Sequence, residues 1–174
     1  MIRFFQLCKK ENIKPILGLS LTVTSGLDEI EFLLYAKDDL GYRNLLKLYY
    51  LKEHQKHITE NDIKLYHKGI IGVSTGSSLY EKLVLNERFE ELKALILNHQ
   101  NLFEDYYIGL SLDTFDLEFL VAPKLFKISN ELNVKVLPIH RVSYLNKNDR
   151  SRYESLIKIE DLKNKIDDSA DYSL

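Results

Sequence analysis

The chain is poor in the residues that mark several specialised protein classes. Its 174 residues include no tryptophan, one methionine and one cysteine. No apolar run approaches the length of about 20 residues that spans a bilayer, and no signal peptide is recognisable. The single cysteine, Cys8, excludes an internal disulfide and suits a reducing compartment. We therefore expect a cytoplasmic protein without a membrane contact.

The chain also has no excess of charge of one sign. It carries 24 Lys and Arg against 26 Asp and Glu, a formal net charge of -2, and 45% of its residues are hydrophobic. A free-standing nucleic-acid binder usually has a basic excess, so the composition does not indicate one. The length allows one sizeable core, and a single domain is the default expectation.

Strand-like and helix-like patterns alternate along nearly the whole chain. Strands are predicted at 13–23, 30–36, 70–74, 106–112 and 134–138. Helices are predicted from 4 to about 11 or 12, from 38 or 39 to about 49, at 59–69, after 77 or 78, and at 89–97, 115–132 and 149–159. Pro123 predicts a kink or a break into two helices. This order favours an α/β fold in which a mostly parallel sheet or barrel is built from βαβ units.

Two local patterns predict where helices begin. Asp38 or Asp39 can cap the helix that follows the second predicted strand. Thr59 followed by Asp62 resembles a capping box, with Asp in place of the usual Glu, for a short helix that ends at Gly69.

The loop after the strand at 70–74 is one candidate ligand site. Its residues 74–78 lie between a strand and a helix, where helix N-terminal amides can hold a phosphate. The loop lacks the lysine of a P-loop and the glycine pattern of a dinucleotide site. A plain N-capped turn is the simpler interpretation, and both interpretations stay open.

The five histidines do not complete a metal site by spacing. His54 and His57 lie three residues apart, but no nearby cluster of Cys, Asp or Glu completes a zinc set, so a solvated surface is favoured. His67 and His99 each close a predicted helix, where an imidazole favours the helix dipole. His140 falls at a strand end, where a hydrogen-bonded structural role is more common than ligation.

Catalytic patterns are equally weak. Asp113 and Asp116 follow a predicted strand, and paired carboxylates can do acid–base work or hold Mg²⁺. Asp113 could equally be a turn residue, and Asp116 could open the next helix. There is no Gly-x-Ser-x-Gly elbow, and Cys8 has no obvious histidine partner. The residues by themselves therefore indicate an α/β domain without a convincing active site.

Four segments, in order, carry a resemblance to a known family. They are NIKPILGLSLTV at 12–23, LLYAKDDLGYRNL at 33–45, GIIGVS at 69–74 and VLPIHRVSYLN at 136–146. Together they resemble the PHP domain at the head of C-family replicative DNA polymerases. Residues 22–27 are most similar to the shorter DnaE type of low-GC Gram-positive bacteria, and the abundant Lys, Asn, Ile and Tyr suit an AT-rich genome.

The resemblance implies a fold and a domain boundary. The fold would be a partial, distorted (β/α)7 barrel of the PHP type, with mostly parallel strands alternating with helices. Residues 1–160 would form the PHP-like domain, without its first strand and first metal motifs. Residues 161–174 would be a tail or the start of a linker to the polymerase body.

The resemblance also implies where metal ligands would lie. Active PHP domains bind a metal cluster at the strand ends and hydrolyse phosphoesters, and some act as 3′–5′ exonucleases. The ligand positions that fall within this chain are occupied by Ser20, Glu31, Gly76, Gly109, Arg141 and Ser143. Since Glu31 alone is a carboxylate, we expect no metal and no catalytic residue in this chain. Our hypothesis is that Arg141 fills the vacated cleft and pairs with Glu31, Asp113 or Asp116.

The leading hypothesis from the sequence is therefore a structural and interaction module of a DNA polymerase III α subunit. Its partners would be the remaining polymerase domains in cis, with replisome subunits, DNA and Mg²⁺ serving the parent protein. An open sheet edge would also allow an edge-mediated homodimer. One alternative is a metal-dependent PHP phosphoesterase or 3′–5′ exonuclease whose N-terminal ligands are missing from this sequence. The other is an α/β enzyme of a different family that uses the loop at 74–78 for a phosphorylated substrate.

Overall fold

The computed structural model describes residues 2–26, 28–55, 57–75, 79–111, 115–140 and 142–159. Within these ranges the helices are α1 (Ile2–Lys10), α2 (Asp39–His54), α3 (Glu60–Tyr66), α4 (Leu79–Leu85), α5 (Phe89–Gln100), α6 (Phe115–Glu131) and α7 (Arg150–Ile159). The strands are β1 (Gly18–Ser25), β2 (Asp28–Ala36), β3 (Ile70–Thr75), β4 (Asp105–Ser111) and β5 (Lys135–Ile139). No helix in the described part of the chain is both long enough and apolar enough to cross a membrane.

The strands form one sheet in the order β1-β2-β3-β4-β5, which confirms the mixed α/β class. The β1–β2 and β2–β3 pairs are antiparallel, so the prediction of parallel pairing is wrong for these two pairs. β1 and β2 are joined by a tight turn at Gly26, whose φ is 65°, and such a short connection can join only antiparallel strands. Two helices, α2 and α3, connect β2 to β3, in place of the single crossover helix of a βαβ unit.

The first strand begins later than the sequence predicts. Regular strand structure starts at Gly18, and the residues from Ile13 to Leu17 precede it without regular structure. Pro15 has no backbone N–H to give to a ladder, and Ile13 and Ile16 are 60% and 67% exposed. The prediction of a strand from residue 13 is therefore wrong for residues 13–17.

Residues 1–74 and 93–107 form one compact unit. Its core lies on one face of the β1–β2 hairpin, where burial alternates along both strands as in a sheet covered on one side. The buried side chains on that face are Leu21, Val23, Ile30, Phe32 and Leu34. The opposite face of the hairpin carries polar side chains, and two of the predicted ligand positions lie there.

The start of α2 is fixed against the turn at Gly69. The carboxylate of Asp38 accepts a hydrogen bond of 2.8 Å from the Gly41 N–H, which settles the predicted cap. A Cβ on Gly41 would lie 1.8 Å from the Gly69 carbonyl oxygen, so only glycine fits there. The amide of Asn44 donates to the carbonyl of Lys68 at 2.9 Å. The segment around residues 38–45, which carries part of the family resemblance, thus fixes where α2 begins.

Residues 75–92 and 108–174 belong to a second compact unit. Within it α4 packs against α6, and α6 runs through Pro123 as a single element, so the predicted break into two helices is wrong. Pro123 is exposed, while Val121, Leu125 and Ile128 are buried on both sides of it along the chain. The buried face holds the helix together across the one hydrogen bond that proline removes.

Candidate functional site

Two predicted ligand positions, Ser20 and Glu31, meet on the polar face of the β1–β2 hairpin. Glu31 lies opposite Thr22 and Ser20 opposite Leu33, so Ser20 and Glu31 are diagonal neighbours on one face. The Ser20 hydroxyl donates a hydrogen bond to Oε1 of Glu31. Ser20 is exposed and Glu31 is half-buried. The carboxylate is thus engaged by a neutral donor from the neighbouring strand.

Two further predicted positions offer no strong metal ligand. Gly109 is buried in β4 and has no side chain. Ser143 lies after β5 in irregular structure, is half-buried, and carries a neutral hydroxyl. Metal clusters of the kind that PHP domains hold need carboxylate, imidazole or thiolate donors, and neither residue supplies one.

The remaining predicted positions are described in part or not at all. Gly76, Asp113 and Arg141 lie outside the described residues, so the proposed ion pairs of Arg141 stay a prediction. Asp116 is the second residue of α6, which agrees with the alternative that it opens a helix.

The described residues do not fit a divalent metal cluster. Across the described ranges, no group of three or more His, Cys, Asp or Glu side chains is placed to hold a metal ion. Of the four predicted positions that the structure describes, Glu31 alone supplies a carboxylate. A single carboxylate is too few donors for the catalytic metal sites known in proteins.

The candidate phosphate loop is described only at its start. Ser74 is fully buried at the end of β3, and its Oγ accepts a hydrogen bond of 2.8 Å from the Tyr106 hydroxyl. The Ser74 side chain therefore belongs to the core and does not face a ligand. Residues 76–78 lie outside the described residues, so the rest of this prediction is untested.

A polar cluster around Glu60 was not predicted from the sequence. Ser25 donates to one oxygen of Glu60 at 2.7 Å, Asn98 donates to the other at 2.9 Å, and His99 Nε2 lies 3.8 Å away. Burial raises the pKa of Glu60, but the hydrogen bonds from Ser25 and Asn98, with a smaller contribution from the charge of Lys64, lower it, and the net pKa is below the ordinary value. The cluster joins β1, α3 and α5, which are far apart in sequence, and it borders a cavity of about 450 Å³. No local sequence pattern could reveal it.

His99 lies in the last turn of α5, as predicted, but it is buried within the same unit, so the prediction that its charge favours the helix dipole is wrong. Its ring meets the Phe32 ring edge-on, with centroids 5.1 Å apart and planes at 87°. Burial lowers the pKa of His99 to about 4, although the charge of Glu60 opposes the shift. The imidazole is therefore neutral at pH 7 and contributes no positive charge to the end of α5.

The other histidines are near the surface. His54, His57 and His140 are exposed, as predicted for the first two. His67 is the C-cap residue of α3, and its Nδ1 lies 2.7 Å from the Lys64 carbonyl oxygen, which confirms its predicted place at a helix end.

Residues 1–114 match the PHP domain, which is most of the chain and includes both Ser20 and Glu31. The chain belongs to the PHP domain family. The predicted resemblance is thereby confirmed, and the alternative of an α/β enzyme from another family is wrong. The PHP membership also makes the lack of ligands at Ser20 and Gly109 a departure from a metal-binding family.

Several curated relatives of this PHP chain are named DNA polymerase III subunit alpha. The Borreliella burgdorferi protein is 31% identical over 176 residues, covering 91% of this chain and 15% of the relative. The Bacillus subtilis protein is 29% identical over 161 residues, covering 89% of this chain and 14% of the relative. The Helicobacter pylori (strain 26695) protein is 26% identical over 182 residues, covering 88% and 15%. The chain thus spans about 15% of the length of these relatives.

Proposed function

We propose that this chain is the PHP domain of a bacterial DNA polymerase III α subunit and acts there as a metal-free structural and interaction module. The observation that carries the polymerase assignment is the similarity to α subunits across about nine-tenths of the chain. Its partners would be the remaining polymerase domains in cis. Replisome subunits, DNA and catalytic Mg²⁺ would serve the polymerase body.

The side chains at the ligand positions support a metal-free module. A PHP-type hydrolase would use metal ions to activate water and to neutralise the phosphate. Here Ser20 and Ser143 present neutral hydroxyls, Gly109 presents no side chain, and the Glu31 carboxylate accepts a hydrogen bond from Ser20.

The experiment compares two substitutions in the full-length polymerase. Glu31→Gln changes the one carboxylate at a predicted ligand position, and Glu29→Gln changes a neighbouring carboxylate on the same face of β2. We expect neither variant to alter primer extension, and we expect no Mn²⁺-dependent 3′–5′ degradation of single-stranded DNA by any form. If the parent degrades DNA and Glu31→Gln alone removes that activity, the domain is a metal-dependent phosphoesterase or exonuclease.

We also propose that two copies of the chain can pair through β1. This strand is the first in the sheet order, so β2 covers only one of its edges. On the outer edge, the Thr24 N–H donates to the Ile58 carbonyl at 2.7 Å. Backbone N–H groups two residues apart in a strand point to the same side, so the Thr22 N–H also points to the outer edge. Exposed backbone groups on an edge strand can add a strand from another chain. A two-fold axis would let β1 pair with its own copy.

A further inference from the structure

One exposed face of α2 combines positive charges with aromatic rings. Arg43, Lys47, Tyr50 and His54 follow one another at spacings of three and four residues, so they lie on the same side of the helix. All four side chains are exposed, and Tyr50 is 60% exposed. Tyr66 of α3 lies beside them, with the Lys47 Nζ 5.2 Å from its ring centroid. We call these five residues the α2 face.

The two rings at the end of the α2 face are already stacked on each other. The rings of Tyr50 and His54 have centroids 3.9 Å apart and planes at 22°. His54 Nδ1 also lies 2.7 Å from the Tyr50 carbonyl oxygen, which fixes the imidazole in this orientation. A rigid, exposed ring surface can accept a further planar group at a low cost in side-chain entropy.

The charge of α2 is slightly positive. The helix carries Arg43, Lys47 and Lys52 against Asp39 and Glu53, an excess of one positive charge in a chain whose net charge is -2. Two acids of the neighbouring α3 are engaged elsewhere, since Asp62 accepts from Thr59 and Glu60 accepts from Ser25. Among the residues that the structure describes, no carboxylate forms an ion pair with Arg43 or Lys47.

We propose that the α2 face binds single-stranded nucleic acid. Arg43 and Lys47 lie one helical turn apart, about 6 Å along the axis, and would contact backbone phosphates. Tyr50, supported by His54, would stack on an unpaired base, which is the combination that single-strand binding surfaces use. The bases of a duplex are paired and stacked on one another, so a duplex could contact only the positive charges of the α2 face. The proposal rests on the α2 face alone and is independent of the metal-free function.

The test measures binding of the 174-residue chain to fluorescein-labelled oligo-dT, about 16 nucleotides long, by fluorescence anisotropy at several salt concentrations. For Lys47→Gln we expect the slope of log K against log salt to fall by about 0.7, because one phosphate contact is lost. For Tyr50→Leu we expect affinity to fall roughly 5-fold or more at an unchanged slope, because a stacking contact is lost and no charge is. Arg43→Gln should repeat the effect of Lys47→Gln.

A matched control removes the same chemistry from another helix. Phe126 and Lys127 are exposed on α6, and the double substitution Phe126→Leu/Lys127→Gln deletes one ring and one charge there. It should bind as the parent does. The proposal is overturned if the parent chain does not bind oligo-dT, or if the control loses as much affinity as the α2 variants. It is also overturned if a duplex of equal length binds more tightly and Tyr50→Leu changes nothing.

Discussion

The Ser20 hydroxyl donates a hydrogen bond to the Glu31 carboxylate across the β1–β2 hairpin. By the resemblance, metal-binding PHP domains carry a glutamate at the position of Ser20 and a histidine at the position of Glu31, and both would be metal ligands. Here the two positions carry a hydroxyl and a carboxylate, and the hydroxyl donates to the carboxylate. We expect this pair to be stable without a metal at this point of the sheet.

Ser20→Glu tests whether metal ligands converge on this pair. The substitution places a second carboxylate beside Glu31 and removes the hydrogen bond, so we expect the free energy of unfolding at pH 7 to fall by about 1 kcal/mol. Urea unfolding monitored by circular dichroism measures the change. Ser20→Gln introduces a side chain as long as that of glutamate, with a hydrogen-bond donor and no charge. It should lower the free energy of unfolding by less than Ser20→Glu does. Full rescue of Ser20→Glu by micromolar Zn²⁺ or Mn²⁺ would contradict the account, since it would mean that other metal ligands converge there.

Gly41→Ala should be among the most destabilising single-methyl additions in the chain. The new Cβ would lie 1.8 Å from the Gly69 carbonyl oxygen, and both groups are backbone-anchored. We expect the free energy of unfolding to fall by about 3 kcal/mol or more, which is at or above the upper end of the range for overpacked cores. Gly26→Ala is the control, because nothing lies within 4 Å of its added Cβ and only its φ of 65° is unfavourable. That change should cost about 1 kcal/mol. Equal losses measured by thermal unfolding would show that α2 is not held against the turn.

The buried His99 predicts a specific loss of stability in acid. Its pKa is about 4 in the folded chain and 6.5 without burial, so between these values the unfolded chain binds a proton that the folded chain does not. Stability therefore falls as pH drops from 6.5 to 4, by up to about 3 kcal/mol.

The variant His99→Leu isolates this effect. It should lose roughly 2–3 kcal/mol less stability than the parent between pH 7 and pH 4.5, as measured by urea unfolding at each pH. His57→Leu changes an exposed histidine and should follow the parent. Parallel pH curves for the parent and His99→Leu would show that His99 is accessible to solvent.

Thr22→Pro tests pairing through β1. The proline removes an N–H that points away from β2, so the hairpin ladder stays intact while the outer edge loses a donor. If the parent dimerises as proposed, sedimentation velocity should show Thr22→Pro shifted to monomer and Thr22→Val, which keeps the N–H, unchanged. A parent that is monomeric at high concentration, or a Thr22→Pro dimer, would rule out this edge.

Local chemistry made some of the fold predictable. The cap at Asp38 and the capping box of Thr59 and Asp62 depend on residues three apart, and the structure shows both. Periodicity likewise located β2 and β3 closely. In contrast, the run from Ile13 to Leu17 is apolar without being buried, and hydropathy does not distinguish these cases.

Only the part of the candidate site that lies in motifs resembling the family could be predicted from the sequence. The resemblance named Ser20 and Glu31 as separate ligand positions, but their direct hydrogen bond depends on the antiparallel register, which was not predicted. The Glu60 cluster depends on three segments that meet only in the folded chain. For the same reason, the place of His99 at the end of α5 was predicted but its burial was not, because the ring that it contacts, Phe32, comes from a distant strand.

The metal content of the purified protein tests the central claim most directly. The 174-residue chain and the full-length polymerase should both be prepared without chelators and measured by inductively coupled plasma mass spectrometry. We predict far less than one equivalent of zinc, manganese or iron per chain in both, and no gain after incubation with Zn²⁺ or Mn²⁺ followed by desalting. One or more tightly held equivalents that Glu31→Gln removes would contradict the account and establish a working PHP metal centre.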